Sequence, residues 1–292
     1  MSRNALGLQP PDHISHSSRD TLLRCAKSFF LSRMTPAPKQ PALWLATGSA
    51  AHIATETWDN MQHAIGADPD WDEKQLRSIW NVAFGDQLEE LRAKDPNEFH
   101  WRSSRAEPIG WWNKMGPQMV QAYIDWRKRA PYEIWTTPAG EPAIELDVSG
   151  HLPGCEIEIK AFVDVVFHDP VFDQLIVVDK KTSKRPPSSA DQMATYGALM
   201  AVKWPEAVPA LGAAYMFRKG TLAAPWPLLA YTPEAMGELY QQAWEQIQRG
   251  DFTANPGDAC RICDVSSSCA AKNGPLAHIY DPASPGYEHP PF

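Results

Sequence analysis

Between Leu175 and Ser183 the chain reads Leu-Ile-Val-Val-Asp-Lys-Lys-Thr-Ser, and this stretch constrains the fold more than any other. Four consecutive apolar residues describe a strand buried on both faces. The three charged residues that follow must find partners where the strand leaves the core. Side chains alternate along a strand, so Asp179 and Lys181 share one face and Lys180 points to the other. A carboxylate and an ammonium side by side at such a strand end suit metal-assisted hydrolysis. The acid holds a divalent ion, and the ammonium positions a water and stabilises charge on a phosphate. An ion pair at the strand edge is the alternative reading of the same residues.

The preceding strand poses the same problem. In Ile159-Lys160-Ala161-Phe162-Val163-Asp164-Val165-Val166-Phe167 one acid interrupts an apolar run. A buried, unpaired carboxylate is costly, so Asp164 requires a cation or a set of donors. Asp179 follows 15 positions later, a distance that suits antiparallel neighbours joined by a turn at Asp169-Pro170. A metal ion shared by the two carboxylates answers both requirements, and oxygen-rich ligation favours Mg²⁺ or Mn²⁺ over zinc.

The rest of the chain supplies a frame for these strands. Residues 1–13 read as a loose polar arm, and Ser17 offers an N-cap to a helix running to about Met34. After a proline-rich loop, a second helix is expected from Thr47–Gly48 through His52 and Glu56 towards Ala64. Residues 72–94 and 110–129 read as further helices, within a helical insertion at about 65–135. From about 143 the period changes to that of strands: Ala143–Ser149, Ile157–His168 and Gln174–Asp179. A helix follows at 189–203, then strands at Leu211–Lys219 and Trp226–Tyr231, and a helix at Pro233–Arg249 that opens on proline. The sheet core thus occupies about 143–232, a cysteine loop about 256–270, and a proline-rich tail 273–292 is expected to be extended. The order predicts an α/β fold in which a mixed central sheet is flanked by helices, as one domain over 1–272.

Four short motifs occur in order: Gly48-x-x-x-His52, Asp164, Asp179-Lys180-Lys181-Thr182, and Gln192-x-x-x-Tyr196. In this they resemble the PD-(D/E)XK nuclease superfamily, and more closely its RecB-type branch, which includes CRISPR-associated iron–sulfur exonucleases and phage exonucleases. The likeness spans about 17–272; Ala161 stands where that family usually has glycine, which touches packing more than chemistry. The resemblance implies a restriction-endonuclease-like core, with Asp164, Asp179 and His52 as metal ligands for Mg²⁺ or Mn²⁺. It implies that Lys181 orients or activates the attacking water. By the same resemblance Gln192 and Tyr196, one helical turn apart, would shape the site and could touch DNA. Glu56 lies four residues after His52 and reaches either the site or the surface. Glu145, on the first strand, stands where an acid sometimes supports such a site.

Five cysteines in a chain without a secretory signal do not suggest a disulfide framework. Cys260, Cys263 and Cys269 place three thiols within ten residues, which reads as metal ligation. Cys25 on the first helix is the natural fourth ligand. The RecB-type likeness implies a 4Fe-4S cluster on this set, a four-cysteine staple joining the N- and C-terminal regions; zinc on the same four thiolates is the rival. Cys155 has no assigned role.

With 27 basic and 35 acidic side chains the net charge is −8, which argues mildly against nucleic acid but says nothing of a single cleft. Local basic clusters could follow a phosphate backbone: Lys180, Lys181, Lys184 and Arg185 by the metal strand, Arg127–Arg129 at a helix end, and Arg102 and Arg105 in the insertion. Arg127–Arg129 would equally complement a helix C-terminus. Among twelve tryptophans, Trp101, Trp111 or Trp112 could stack on unpaired bases. The resemblance therefore implies a metal-dependent DNA exonuclease, rather than an endonuclease, acting on single-stranded or end-containing DNA. The alternative is a non-catalytic DNA-binding or assembly subunit that keeps the fold and a structural zinc or iron–sulfur site. There is no phosphate-binding loop and so no helicase motor; a helicase, an annealing protein or another recombination subunit are the partner candidates. No apolar run reaches the ~18 residues of a membrane span. The expected address is the cytoplasm, that of the host if the gene is carried by a phage. Oligomeric state is not legible.

Overall fold

The chain runs β1 (His13–Ile14), α1 (His16–Arg24), α2 (Ala26–Arg33), α3 (Leu43–Ile65), α4 (Glu73–Lys94), α5 (Ile109–Arg129), β2 (Glu133–Ile134), β3 (Ile144–Asp147), β4 (Glu158–Ile159) and β5 (Phe162–Asp169). It continues with β6 (Gln174–Lys181), α6 (Asp191–Lys203), β7 (Leu211–Met216), β8 (Thr221–Leu222), β9 (Trp226–Pro227), α7 (Pro233–Arg249) and the short α8 (Ala277–Tyr280). The structure, a computed structural model, describes residues 3–287. These residues fall into two compact units, where the sequence predicts one domain over 1–272. One unit comprises residues 42–148 and 161–232; the other takes the N-terminal segment to Pro41, residues 149–160 and the chain from Pro233.

The first unit holds the sheet. Its strands run β2-β5-β6-β7-β8, with β3 also on β5 and β9 also on β7. β5 and β6 are antiparallel and β6 and β7 are parallel, so the sheet is mixed. Alternate residues Val165, Phe167, Ile176, Val178, Ala213 and Tyr215 join a core with Trp58, Trp80, Trp112 and Tyr123 from α3, α4 and α5. The other face of β7 meets α6. A Cβ on Gly212 would lie 2.5 Å from that of Met193, so glycine permits the close approach. α3 starts at Leu43, four residues before the expected Thr47, and ends at Gly66 in the left-handed conformation (φ 66°). Asp72 and Gln75 form a reciprocal capping box at the start of α4.

The other unit departs further from expectation. The helix expected from Ser17 to Met34 is broken at Cys25, whose extended backbone (φ −161°, ψ 101°) ends α1 and opens α2. Ser15, not Ser17, caps α1, through a reciprocal pair with Ser18; three serines in four positions left the choice open to sequence. The arm is not loose. Asn4 is buried, its Nδ2 donates to Ile247 O at 3.2 Å, and Ala5 N–H donates to Gln248 O at 2.8 Å.

The strand expected over Ile157–His168 is divided between the units: β4 pairs in parallel with β1, while β5 belongs to the sheet. Trp226–Tyr231 yields only the two-residue β9. From Gly274 the tail is not extended. It forms α8, and then buries Asp281, which accepts from Lys27 Nζ at 2.9 Å and from the Ala270 and Ala283 N–H groups. Pro290 and Pro291 lie outside the described residues. Among the described residues no helix is long and apolar enough to cross a membrane.

The packing of α4 on α5 gives a direct test. A Cβ at Gly116 would fall 2.1 Å from the ring of the buried Trp80, whereas Gly85 on α4 faces open space. Gly116→Ala should lower the unfolding free energy by about 1–3 kcal/mol. Gly85→Ala should raise it by up to about 1 kcal/mol. Urea unfolding of both variants checks the pair.

Candidate active site

Register places three acids on one line. Ile144 pairs with Val165 and Leu146 with Val163, so Glu145 faces Asp164; Val165 pairs with Val178, and one further step sets Asp164 opposite Asp179. Glu145, Asp164 and Asp179 thus share a rung across β3, β5 and β6. Carboxylates so placed repel one another, and burial strengthens the repulsion. Glu145 adds backbone strain: its φ is +47°, the left-handed region that a side chain with a Cβ rarely adopts.

His52, on the third turn of α3, completes the group. Its Nε2–H donates to the Lys180 carbonyl at 2.7 Å. That bond fixes the tautomer and leaves Nδ1 towards the acids, 3.5 Å from Asp164 Oδ1 and 3.9 Å from Glu145 Oε1. One ligand atom each from His52, Glu145 and Asp164 lies within 4.8 Å of the others. The other oxygen of Asp164 accepts the Lys180 N–H. Glu145 Oε1 is buried without a hydrogen-bond partner. Burial alone would lower the pKa of His52, but Asp164 beside it and Glu145 outweigh this and raise it to about 10. Asp164 is held below its ordinary range: burial opposes this, and His52 and the Lys180 N–H prevail. A proton on His52 therefore offsets the acids, a place that a divalent cation would fill with more charge. The orphaned oxygen, the fixed imidazole tautomer and the acid pair fit such a cation.

Asp179 and Lys181 lie on the α6 side of β6, as alternation requires. Lys181 Nζ is 2.8 Å from Asp179 Oδ2, an ion pair. Gln192 ties the group together. Its Nε2 donates to Asp179 Oδ1 at 2.8 Å and to the Tyr196 hydroxyl at 2.7 Å, and its Oε1 accepts from Lys181 Nζ at 3.1 Å. Burial and the neighbouring Asp164 push the Asp179 carboxyl up to about 6, against the pull of Lys181.

The profile of the PD-(D/E)XK nuclease superfamily matches residues 13–270. The chain belongs to that superfamily. Such membership points to a metal-dependent nuclease, and the cluster of His52, Glu145 and Asp164 is a site where the metal would bind. Two relatives are encoded by phages. The Gene 69 protein of Mycobacterium phage L5 is 28% identical over 283 residues, covering 87% of this chain and 95% of that protein. The Gene 69 protein of Mycobacterium phage D29 is 28% identical over 269 residues, covering 84% and 92%.

In this PD-(D/E)XK protein an open cleft of about 500 Å³ leads to the acids, with Trp44, Gly48, Glu56 and Lys181 in its walls. Burial and Glu145 raise the Glu56 carboxyl above its ordinary value. Arg102 lies over the Trp44 ring at 5.1 Å, which brings one basic residue of the insertion to the cleft rim. Other expected phosphate or base contacts are absorbed by the core. Lys180 and Arg127 are buried against Asp59, and Trp101 and Trp112 are buried as well. Lys184 and Arg218 both pair with Glu107, at 2.8 and 2.9 Å. Sequence reading missed Asp59 and Glu107, because the cations that hold them lie about a hundred positions away and leave no local pattern.

The four expected cysteine ligands all lie in the other unit. Among the described residues no three cysteine sulfurs lie within 4.8 Å of one another. Cys25 Sγ accepts from Asn255 N–H at 3.4 Å and Cys260 Sγ from Gly257 N–H at 3.5 Å. Burial, and then the nearby Asp281, raise the Cys269 thiol above its usual value. Cys155 is buried and donates to Ile157 O at 3.4 Å, a small core residue.

Glu145 carries both strain and an orphaned oxygen, and Glu145→Gly removes both. The variant should be as stable as the parent, or more so by up to about 1 kcal/mol, yet bind Mn²⁺ at least about tenfold more weakly. Thermal melts and a calorimetric Mn²⁺ titration measure the two effects; unchanged affinity would remove Glu145 from the ligand set.

Proposed function

We propose that this protein is a Mg²⁺- or Mn²⁺-dependent deoxyribonuclease that acts as an exonuclease on single-stranded or end-containing DNA. The observation that carries the reading is the shared rung of Glu145, Asp164 and Asp179, with His52 Nδ1 turned towards it and Lys181 beside it. An ion pair at a strand edge would need Asp179 and Lys181 alone; it gives no reason for two further acids and an oriented imidazole. Preference for exonuclease action rests on the likeness of the four motifs to the RecB-type branch.

In this reading His52, Glu145, Asp164 and Asp179 hold the cation. When bound, the cation supplies Lewis-acid polarisation of the phosphate and lowers the pKa of water. The chain supplies the rest. Gln192 holds Asp179 and Lys181 in fixed relation, so that the Lys181 ammonium faces the place where water would approach phosphorus. The water oxygen forms a new bond to phosphorus as the bond to the sugar oxygen breaks. The water gives up a proton to solvent, the departing sugar oxygen takes one up from solvent, and Lys181 stabilises the charge that develops on the phosphate. Tyr196, bonded to Gln192, sets the far side of this array. The Trp44–Arg102 pair at the rim offers an aromatic face and a cation to an entering strand.

For the other unit we propose that Cys25, Cys260, Cys263 and Cys269 ligate a 4Fe-4S cluster. Backbone N–H groups aimed at two of these sulfurs support ligation of this kind, since such bonds stabilise bound thiolate. Aerobically or anaerobically purified protein should show a broad visible band that bleaches on reduction. Stoichiometric zinc without iron would replace the cluster with the tetrahedral alternative. Cys260→Ser should lose the colour together with soluble protein.

The nuclease reading is tested by release of nucleotides from end-labelled DNA in Mn²⁺. EDTA should abolish release, and Lys181→Ala and Asp179→Ala should each reduce it by about 10²-fold or more. Both variants should retain the fold. Equal rates for Lys181→Ala and the parent would overturn the assignment and favour a DNA-binding subunit.

A further inference from the structure

Lys180 is the middle residue of the Asp179-Lys180-Lys181 motif, and its side chain is fully buried. Its ammonium reaches Asp59 Oδ2 at 3.1 Å and Thr55 Oγ1 at 3.2 Å, and lies 4.9 Å from the centre of the Tyr123 ring. Asp59 is equally buried and has its other partners in place: Tyr123 donates its hydroxyl to Oδ2 at 2.6 Å and Arg127 Nε donates to Oδ1 at 3.2 Å. Arg127 in turn donates to Gln62 and to the Tyr132 carbonyl. Two cations therefore share one carboxylate inside the core. Removing charge from water is costly, and an apolar residue at 180 would have packed against α3 without that cost.

The main chain of the same residue is bonded to two members of the candidate metal cluster. Its N–H is accepted by Asp164 and its carbonyl accepts from His52 Nε2. Thr55 and Asp59 lie on α3, one and two turns beyond His52. The side chain of Lys180 thus pins β6 to the helix that carries His52, while its peptide groups orient His52 and Asp164.

We propose that Lys180, locked by Asp59 and Thr55, is a positioning residue that sets α3 against β6 so that His52 Nδ1 meets the acids of β3 and β5. It touches neither cation nor DNA. Buried polar groups that fix register rather than add stability have this form, as do the outer partners of metal ligands. The inference rests on the reading of His52, Glu145 and Asp164 as a metal site.

The test is calorimetric titration of the intact protein with Mn²⁺, without DNA, beside thermal melts. Lys180→Met keeps an unbranched apolar side chain one atom shorter and leaves Asp59 paired one-to-one with Arg127. It should melt within a few degrees of the parent, yet bind Mn²⁺ about 10- to 100-fold more weakly. Lys180→Arg should recover part of the loss. Thr55→Val, a milder change that removes one anchor, should weaken binding several-fold and serves if Lys180→Met does not fold. Parent-like affinity in folded Lys180→Met, or in Thr55→Val where the former fails, would overturn the positioning role while leaving the metal site intact. A parent protein that binds no Mn²⁺ would overturn both.

Discussion

Repulsion among three carboxylates on one rung is the constraint from which the rest of the site follows. Each of Glu145, Asp164 and Asp179 lies next to buried apolar residues of its own strand, such as Leu146, Val165 and Val178. A sequence under pressure for stability alone would have replaced at least one of them. Instead the surroundings gather partners: the Lys180 N–H for Asp164, Lys181 and Gln192 for Asp179, and His52 Nδ1 beside Asp164 and Glu145. Two oxygens of the rung, Glu145 Oε1 and Asp179 Oδ2, are buried without a hydrogen bond, the latter beside the Lys181 ammonium. In the proposed metal site a divalent cation would offset the charge that these oxygens leave unpaired.

Topology explains why these groups can meet. An antiparallel β3-β5-β6 meander brings acids from distant positions onto one rung, and the parallel β6–β7 crossover carries α6 to the face on which Asp179 and Lys181 project. α3 covers the opposite face and delivers His52. The residue at which both faces are tied is Lys180, whose peptide groups serve one set and whose side chain serves the other.

Much of this was legible from local pattern. Alternation sorted Asp179 and Lys181 from Lys180, and a lone acid in the β5 run announced its need for a partner. Four ordered motifs carried the family resemblance, and the superfamily match over residues 13–270 agrees with it. What pattern could not supply was distance. Glu145 is named from the resemblance alone; its positive φ and its unpartnered oxygen are properties of the folded chain. Lys180, Arg127, Trp101 and Trp112 read as surface groups for nucleic acid because nothing near them in the chain names Asp59 or the aromatic core that receives them. The division of Ile157–His168 between two units was equally hidden, since both halves are apolar and the period does not change at Lys160. Three close cysteines suggested ligation, but spacing along the chain does not fix where the sulfurs lie.

Crystals soaked in Mn²⁺ and measured at a wavelength with anomalous signal from manganese test the central claim most directly. The account predicts a peak on the rung, bonded to His52 Nδ1 and to oxygens of Glu145, Asp164 and Asp179. Manganese bound elsewhere, with the rung empty and His52 still turned towards Asp164, would contradict it.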